Sequence, residues 1–180
     1  YAAVTAAKVA GVRNLDEGLA NHPLDVFVLF SSNSGVWGSG GHGAYAAANA
    51  YLDAFAQSRR DRGLPATSIA WGAWSGAGMA VGDAGVQLRR RGVVPMAVPT
   101  ALHALKQAIE QDETVVTVAD LQWEVFLPAF TSSRTTRLFE RIPGAELPAE
   151  AFEEPGISAE SGLLRRLSSL SSTERDRELA

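Results

Sequence analysis

Apolar residues recur along this chain with two different periods. Val4, Val12, Leu15 and Leu19 share one face of a helix predicted over residues 1–20, and Lys8 falls inside that apolar stripe. Val26–Phe30 is a continuous apolar run, which predicts a strand buried on both faces. A second long helix is predicted over Ala44–Arg62. Tyr45, Ala48, Asn49, Leu52, Phe55 and Ala56 form its apolar face, and Arg59–Arg62 form a polar, solvated end stopped by Gly63 and Pro65. Thr67–Trp71 predicts a second buried strand. A short polar helix over Asp83–Arg91 follows, closed by Gly92. Next comes a proline-led helix over Pro99–Gln111 with Leu102, Leu105 and Ile109 inward, and then a third strand over Thr114–Val118.

The segments 31–43 and Gly72–Gly82 are rich in glycine and read as loops. Trp123, Phe126, Leu127 and Phe130 are expected to pack the end of the sheet. Strand, helix, strand, helix, strand predicts an α/β fold built on a parallel sheet with right-handed crossovers. From Gly144 onward the chain is dominated by Glu, Pro, Ala and Ser and reads as a linker, so residues 1–143 are assigned to the folded domain and 144–180 to the linker. Leu163, Leu164, Leu167 and Leu170 mark a short amphipathic stretch within it, read as a locally docking helix.

Composition narrows the function classes. A net charge of -4 gives no reason to expect nucleic acid or an anionic membrane as partner. The absence of cysteine excludes disulfides, thiolate metal sites and a cysteine nucleophile, and fits a cytoplasmic protein. No metal site is expected. No uninterrupted apolar run suggests a membrane span, and the chain, which opens at Tyr1 inside a predicted helix, reads as a piece of something longer.

The chemistry concentrates around two segments, Phe27–Gly35 and Gly43–Asn49. Ser32 lies at the end of the first predicted strand. Tyr45 follows thirteen residues later at the start of a helix, and Asn49 is one helical turn beyond it. In parallel α/β sheets, ligands bind beyond the carboxyl ends of the strands. A serine hydroxyl there can orient a carbonyl by hydrogen bonding to its oxygen. Reduction of a ketone leaves an alkoxide that needs a proton, and a tyrosine can supply one. Its ordinary pKa of about 10 falls when an ammonium stands nearby. Lys8 is the candidate ammonium, and Asn49 can hold a water or backbone group in a proton relay. Ser31 is the rival hydroxyl. The pattern Gly38-Ser-Gly-Gly-His-Gly43 has dinucleotide-loop spacing but does not follow directly on a strand, so it is read as a loop giving room to substrate.

Taken together, Ala7-Lys-Val-Ala-Gly11, Phe27-Val-Leu-Phe-Ser-Ser32, Tyr45-Ala-Ala-Ala-Asn49-Ala-Tyr-Leu-Asp53, Arg59–Ala66, Ile69-Ala-Trp-Gly-Ala-Trp74 and Gly78-Met79 resemble the short-chain dehydrogenase/reductase superfamily. More closely they resemble the ketoreductase domains of type I modular polyketide synthases, over roughly residues 1–140. Most members of the superfamily carry lysine four residues after the tyrosine. The polyketide ketoreductases instead place asparagine there and draw the lysine from the preceding helix, as Asn49 and Lys8 do here.

The resemblance implies the C-terminal portion of a Rossmann-like, doubly wound parallel sheet, with the cofactor's phosphate loop supplied by an upstream half. It implies NADPH as cofactor. Ser32 would polarise the β-ketone and Tyr45 donate the proton. Lys8 would tune Tyr45 and orient the ribose, and Asn49 would support the relay. Lys8, Tyr45, Gly72, Ala73 and Trp74 are the implied cofactor contacts, Gly72–Met79 the nicotinamide-contacting turn and Asp83–Arg91 the lid. Trp37, eight residues before Tyr45, is similar to the A-type pattern that yields an L-hydroxyl. His42, three residues before Tyr45, is similar to the A2-like subgroup that takes an epimerised α-methyl substrate. Trp37, His42 and Met79 are the implied stereocontrol residues. The implied substrate is a β-ketoacyl chain on the phosphopantetheine of an acyl carrier protein, with other synthase domains as partners in antibiotic biosynthesis. Two alternatives stay open: a reduction-silent scaffold or epimerase-only domain, and a free-standing reductase of a small ketone.

Overall fold

The computed structural model describes residues 5–76, 82–132 and 136–145. Two compact units divide the chain, Tyr1–Ala129 and Phe130–Ala180. In the second unit Phe139 is buried and meets Phe130 edge-on, with ring centroids 5.3 Å apart. Val4, the Gly78-Met79 pair and residues 146–180, including the stretch Leu163 to Leu170, lie outside the described residues.

The first unit holds a sheet of three parallel strands, β1 (Val28–Ser32), β2 (Thr67–Trp71) and β4 (Val115–Val118), in the order β1-β2-β4. In register, Val28 stands opposite Thr67 and Ser32 opposite Trp71. Helices cover both faces. On one face α3 (Gly43–Asp61) places Leu52 and Ala56 against Phe27, Leu29 and Val12. On the other, α5 (Val98–Glu110) places Ala101 and Ala108 against Ile69, Trp71 and Met96. This is the doubly wound α/β arrangement read from the sequence. The central strand β2 is buried at all five positions, as its unbroken run Thr67–Trp71 predicts.

The first helix differs from its prediction. A π-helical turn, Ala6–Ala10, leads into α1 (Gly11–Gly18). Within α1, Leu15 follows Val12 by three residues and so stands about 60° round the helix from it, at the margin of the apolar stripe. Val12 is buried, but Leu15 is 55% exposed.

β1 also departs from its prediction, beginning two residues later than the apolar run and ending on Ser31 and Ser32. It is not buried on both faces. Phe27 and Leu29 face α3 and are buried, whereas Phe30 is 48% exposed. The reason is position: β1 is the outer strand. Thr67 N–H bonds Phe27 O and Asn33 N–H bonds Trp71 O, so the odd-numbered residues pair with β2. Val28, Phe30 and Ser32 therefore turn their backbone groups to the other edge, where no strand pairs among the described residues.

Three further corrections concern side chains and short elements. Arg59 is not solvated: it is buried, lies over the Phe27 ring at 4.1 Å and is paired with Asp16 of α1. Leu102 faces outward from α5, which instead buries Ala101 and Ala108. The predicted loop 31–43 contains one helical turn, α2 (Ser34–Trp37).

The polar helix α4 (Asp83–Arg90) forms as expected. The two-residue strands β3 (Val93–Val94) and β5 (Asp120–Leu121) pair antiparallel and are too short to leave a periodic signal. Phe126 and Leu127 are buried on α6 (Trp123–Thr131).

Candidate active site

The hydroxyl-bearing end of β1 and the first turns of α3 are joined by short links. Ser31 is buried and donates from Oγ to the backbone carbonyl of Asn49 at 3.1 Å. Gly35, just after the strand, lies so close to α3 that a Cβ there would meet Ala50 N at 2.9 Å and Asn49 Cβ at 3.3 Å. These two contacts seat the segment Ser31–Gly35 on the helix turn that carries Asn49, with Tyr45 one turn earlier.

The two candidate serines thus separate. Ser31 is committed to the backbone of α3. Ser32 Oγ lies 3.2 Å from the amide of Ser34, which donates to it, and 3.4 Å from Asn33 Oδ1. Its bonds are confined to its own turn, and its one proton is engaged only in the long 3.4 Å bond to Asn33 Oδ1, which a ligand carbonyl would have to displace.

Asn49 is fully buried. Its Nδ2 donates to Tyr45 O at 2.7 Å, while Oδ1 has no donor among the described residues. The Tyr45 side chain is half-buried, and its hydroxyl has no protein partner among the described residues. Lys8 sits in the π-turn, a distortion that recurs at functional sites. Its Nζ donates to Phe30 O at 2.7 Å, on the unpaired edge of β1. An ammonium has three donors and a carbonyl two lone pairs. Lys8 therefore keeps two donors for other groups, and Phe30 O can accept a second bond. Burial pushes the Lys8 pKa below the ordinary lysine value, and the negative charge of Asp53 opposes that shift.

Residues read as cofactor contacts line the exit of β2. Gly72 donates to Val118 O at 2.8 Å, and a Cβ on it would lie 2.9 Å from Ala119 Cβ, so close strand packing requires this glycine. Ala73 O accepts from Met96 N at 2.8 Å. Trp74 stands edge-on to Trp71, with centroids 4.9 Å apart, and near Phe30.

Of the residues that the resemblance implies for stereocontrol, Trp37 meets Phe126 edge-on at 5.9 Å, and His42 immediately precedes α3. His42 Nδ1 is 2.9 Å from Gly40 O and 3.3 Å from Ser39 Oγ. A carbonyl only accepts, so Nδ1 carries a hydrogen toward Gly40 O. Met79 lies outside the described residues.

Sequence reasoning assigned no role to Asp53, although it lies on the Tyr45–Asn49 side of α3. Its carboxylate accepts from Ser68 Oγ on β2 at 2.6 Å. The four-residue step from Asn49 was the available signal. A cavity of about 320 Å³ is lined by Asp16, Leu24, Arg59 and Pro65 and touches none of Ser32, Tyr45 or Asn49.

The parallel sheet with helices on both faces is the Rossmann-like fold of the short-chain dehydrogenase/reductase class. Comparison with known proteins sharpens this. The KR domain model matches residues 1–76. The chain is 46% identical over 184 residues to the pikromycin polyketide synthase component PikAIII of Streptomyces venezuelae, covering 97% of this chain and 12% of that protein. It is similar to a solved A1-type ketoreductase, with TM-score 0.77 and 49% identity over 79% of this chain and 30% of that one. It is also similar to A-type ketoreductases from a modular polyketide synthase, with TM-score 0.76 and 47% identity over 78% of this chain and 30% of that one. The chain belongs to the ketoreductase domains of type I modular polyketide synthases, and it spans under a third of the ketoreductase structures it matches. Among the described residues no helix is long and apolar enough to cross a membrane.

Proposed function

We propose that this chain carries the proton-donating half of an NADPH-dependent reductase. Its substrate is a β-ketoacyl thioester on the phosphopantetheine of an acyl carrier protein, and its product the L-β-hydroxyacyl chain. The observation that carries the reading is the seating of the Ser32 turn on the helix that bears Tyr45 and Asn49. NADPH, when bound, supplies the hydride. Lys8, with two ammonium donors beyond its bond to Phe30 O, suits the ribose hydroxyls and the phenolate together.

Ser32 Oγ donates to the ketone oxygen and fixes which face of the carbonyl is presented. As charge grows on that oxygen, Tyr45 gives up its phenolic proton. The Lys8 ammonium stabilises the phenolate left behind. Asn49 Oδ1, a buried acceptor without a protein donor among the described residues, suits a water that returns the proton. Trp37 and His42 bracket the loop before α3 and, by likeness to A-type enzymes, set the L-hydroxyl outcome and the preference for an epimerised α-methyl group. Apart from the Phe30 carbonyl held by Lys8, the outward-facing backbone groups of Val28, Phe30 and Ser32 meet no strand among the described residues, and an upstream portion of the same domain is the natural source of one.

The test mixes this chain with its upstream portion and follows NADPH oxidation with an α-methyl-β-ketoacyl thioester, resolving products by chiral chromatography. Turnover to the L-hydroxy product supports the reading. NADPH binding without turnover would replace it with a scaffold or epimerase role. Replacing His42 should change the α-methyl ratio more than the rate, and an unchanged ratio would remove His42 from stereocontrol.

A further inference from the structure

Two runs of arginine stand among the described residues, and they differ in what they meet. At the end of α3, Arg59 and Arg62 are paired with Asp16 and Arg60 with Asp112. At the end of α4, Arg89, Arg90 and Arg91 are all exposed, and their guanidinium groups meet no acceptor among the described residues. A helix C-terminus favours a nearby cation, but three adjacent like charges repel one another. The run also stands at the carboxyl end of the sheet. α4 leads through Gly92 into β3, which pairs with β5 just after the end of β4. From Gly92 a short series of direct contacts reaches the Ser32 turn. Gln122 N–H donates to Gly92 O at 2.8 Å, Phe126 N–H donates to Gln122 O at 2.8 Å, and the Phe126 ring meets Trp37 at 5.9 Å. Trp37 closes α2, whose first amide, that of Ser34, donates to Ser32 Oγ.

We propose that Arg89, Arg90 and Arg91 form the surface on which the acyl carrier protein docks, through a carboxylate-rich face of that partner, so that its acyl arm enters beside the Ser32 turn. The proposal rests on the carrier-bound substrate read above. Charge selects the place. Asp and Glu number 20 in the chain against 16 Lys and Arg, so an acidic partner meets net repulsion except where unpaired cations gather. A small anion fits the run less well. Phosphates are held by backbone N–H groups at helix N-termini. Arg89–Arg91 stand at the opposite end of α4, where the unpaired carbonyls repel an anion held close. Three long side chains, fanned at steps of about 100° round the helix end, suit a broad protein surface instead.

The experiment compares the intact ketoreductase domain with the triple variant Arg89→Ala/Arg90→Ala/Arg91→Ala. With NADPH, kcat/KM is measured for one α-methyl-β-ketoacyl chain presented on the carrier protein and on free phosphopantetheine. The ratio of the two values isolates what the carrier's protein surface contributes, because any effect of α4 on the acyl chain or on the phosphate enters both. The ratio should fall about tenfold in the variant, three exposed ion pairs each contributing a modest share. In the parent it should fall as salt rises. Lysine at all three positions keeps the charge and should keep most of the ratio. An unchanged ratio in the alanine variant, even with both values lowered together, would overturn the proposal, as would a lysine variant as poor as the alanine one. If the parent reduces neither substrate, the reduction reading fails by itself. Anisotropy of a labelled holo-carrier protein then still decides the docking: weaker binding to the alanine variant than to the parent supports it, and equal affinity overturns it.

Discussion

Replacing Asp16 by alanine should destabilise the intact domain by about 3–5 kcal/mol. The figure comes from what would be left behind. The Arg59 side chain is 4% exposed, and its guanidinium cannot shed its proton inside a protein. Its Nε reaches Pro65 O at 3.2 Å and its Cζ lies 4.1 Å from the centre of the Phe27 ring, but its only carboxylate partner among the described residues is Asp16. Removing that partner leaves a buried charge uncompensated. The second bond to Asp16, from Arg62 at 2.9 Å, comes from a side chain 47% exposed and adds at most about 1 kcal/mol. At 1.4 kcal/mol per factor of ten, the folding equilibrium should drop about two to three and a half orders of magnitude.

Urea denaturation followed by tryptophan fluorescence reads this directly. The double variant Asp16→Ala/Arg59→Met should recover most of the loss, because no unpaired charge is then left buried. A cost below about 1 kcal/mol for Asp16→Ala, or strict additivity in the double variant, would refute the argument. The link also bears on function, since it ties the end of α1 to the end of α3, and α1 continues from the turn that holds Lys8.

Tyr45→Phe should lower kcat about 10²–10⁴-fold while leaving NADPH affinity nearly intact by equilibrium fluorescence; turnover at the parent rate would sink the proton-donor assignment. The paired serines should part company. Ser32→Ala should cost about 10²–10³ in kcat, whereas Ser31→Ala should cost about 0.5–1.5 kcal/mol of stability and little rate; a reversed order would exchange their roles. Gly35→Ala puts a methyl 2.9 Å from Ala50 N and should cost about 1–3 kcal/mol, with a matching fall in activity as the Ser32 turn is pushed off α3. A thermal melt together with an initial-rate assay checks both halves of that expectation.

Much of the candidate site could be read without a structure because its signals are local. Ser32, Tyr45 and Asn49 are set by spacing along one strand, one turn and one helix. Long apolar faces on the covered elements, such as β2 and α3, were equally legible. Arg59 was misread because a run of four charged residues at a helix end usually meets water. Only the return of α1 onto α3 puts Asp16 within its reach. Leu15 was misplaced because, about 60° round α1 from Val12, it sits at the margin of the apolar stripe, and only packing decides whether such a position is covered.

Sequence alone determined the longer helices and the three strands of the parallel sheet, the α/β class, and the residue types able to move a proton, since each depends on neighbours within a few positions. Tertiary structure decided the rest. It made β1 the outer strand with Phe30 exposed, tied Ser31 rather than Ser32 to the backbone of α3, and set Lys8 on an edge carbonyl. It also brought Asp53 to Ser68, fifteen residues away in the chain. These depend on which elements pack together, and periodicity along a chain records that an apolar face is buried without recording what buries it.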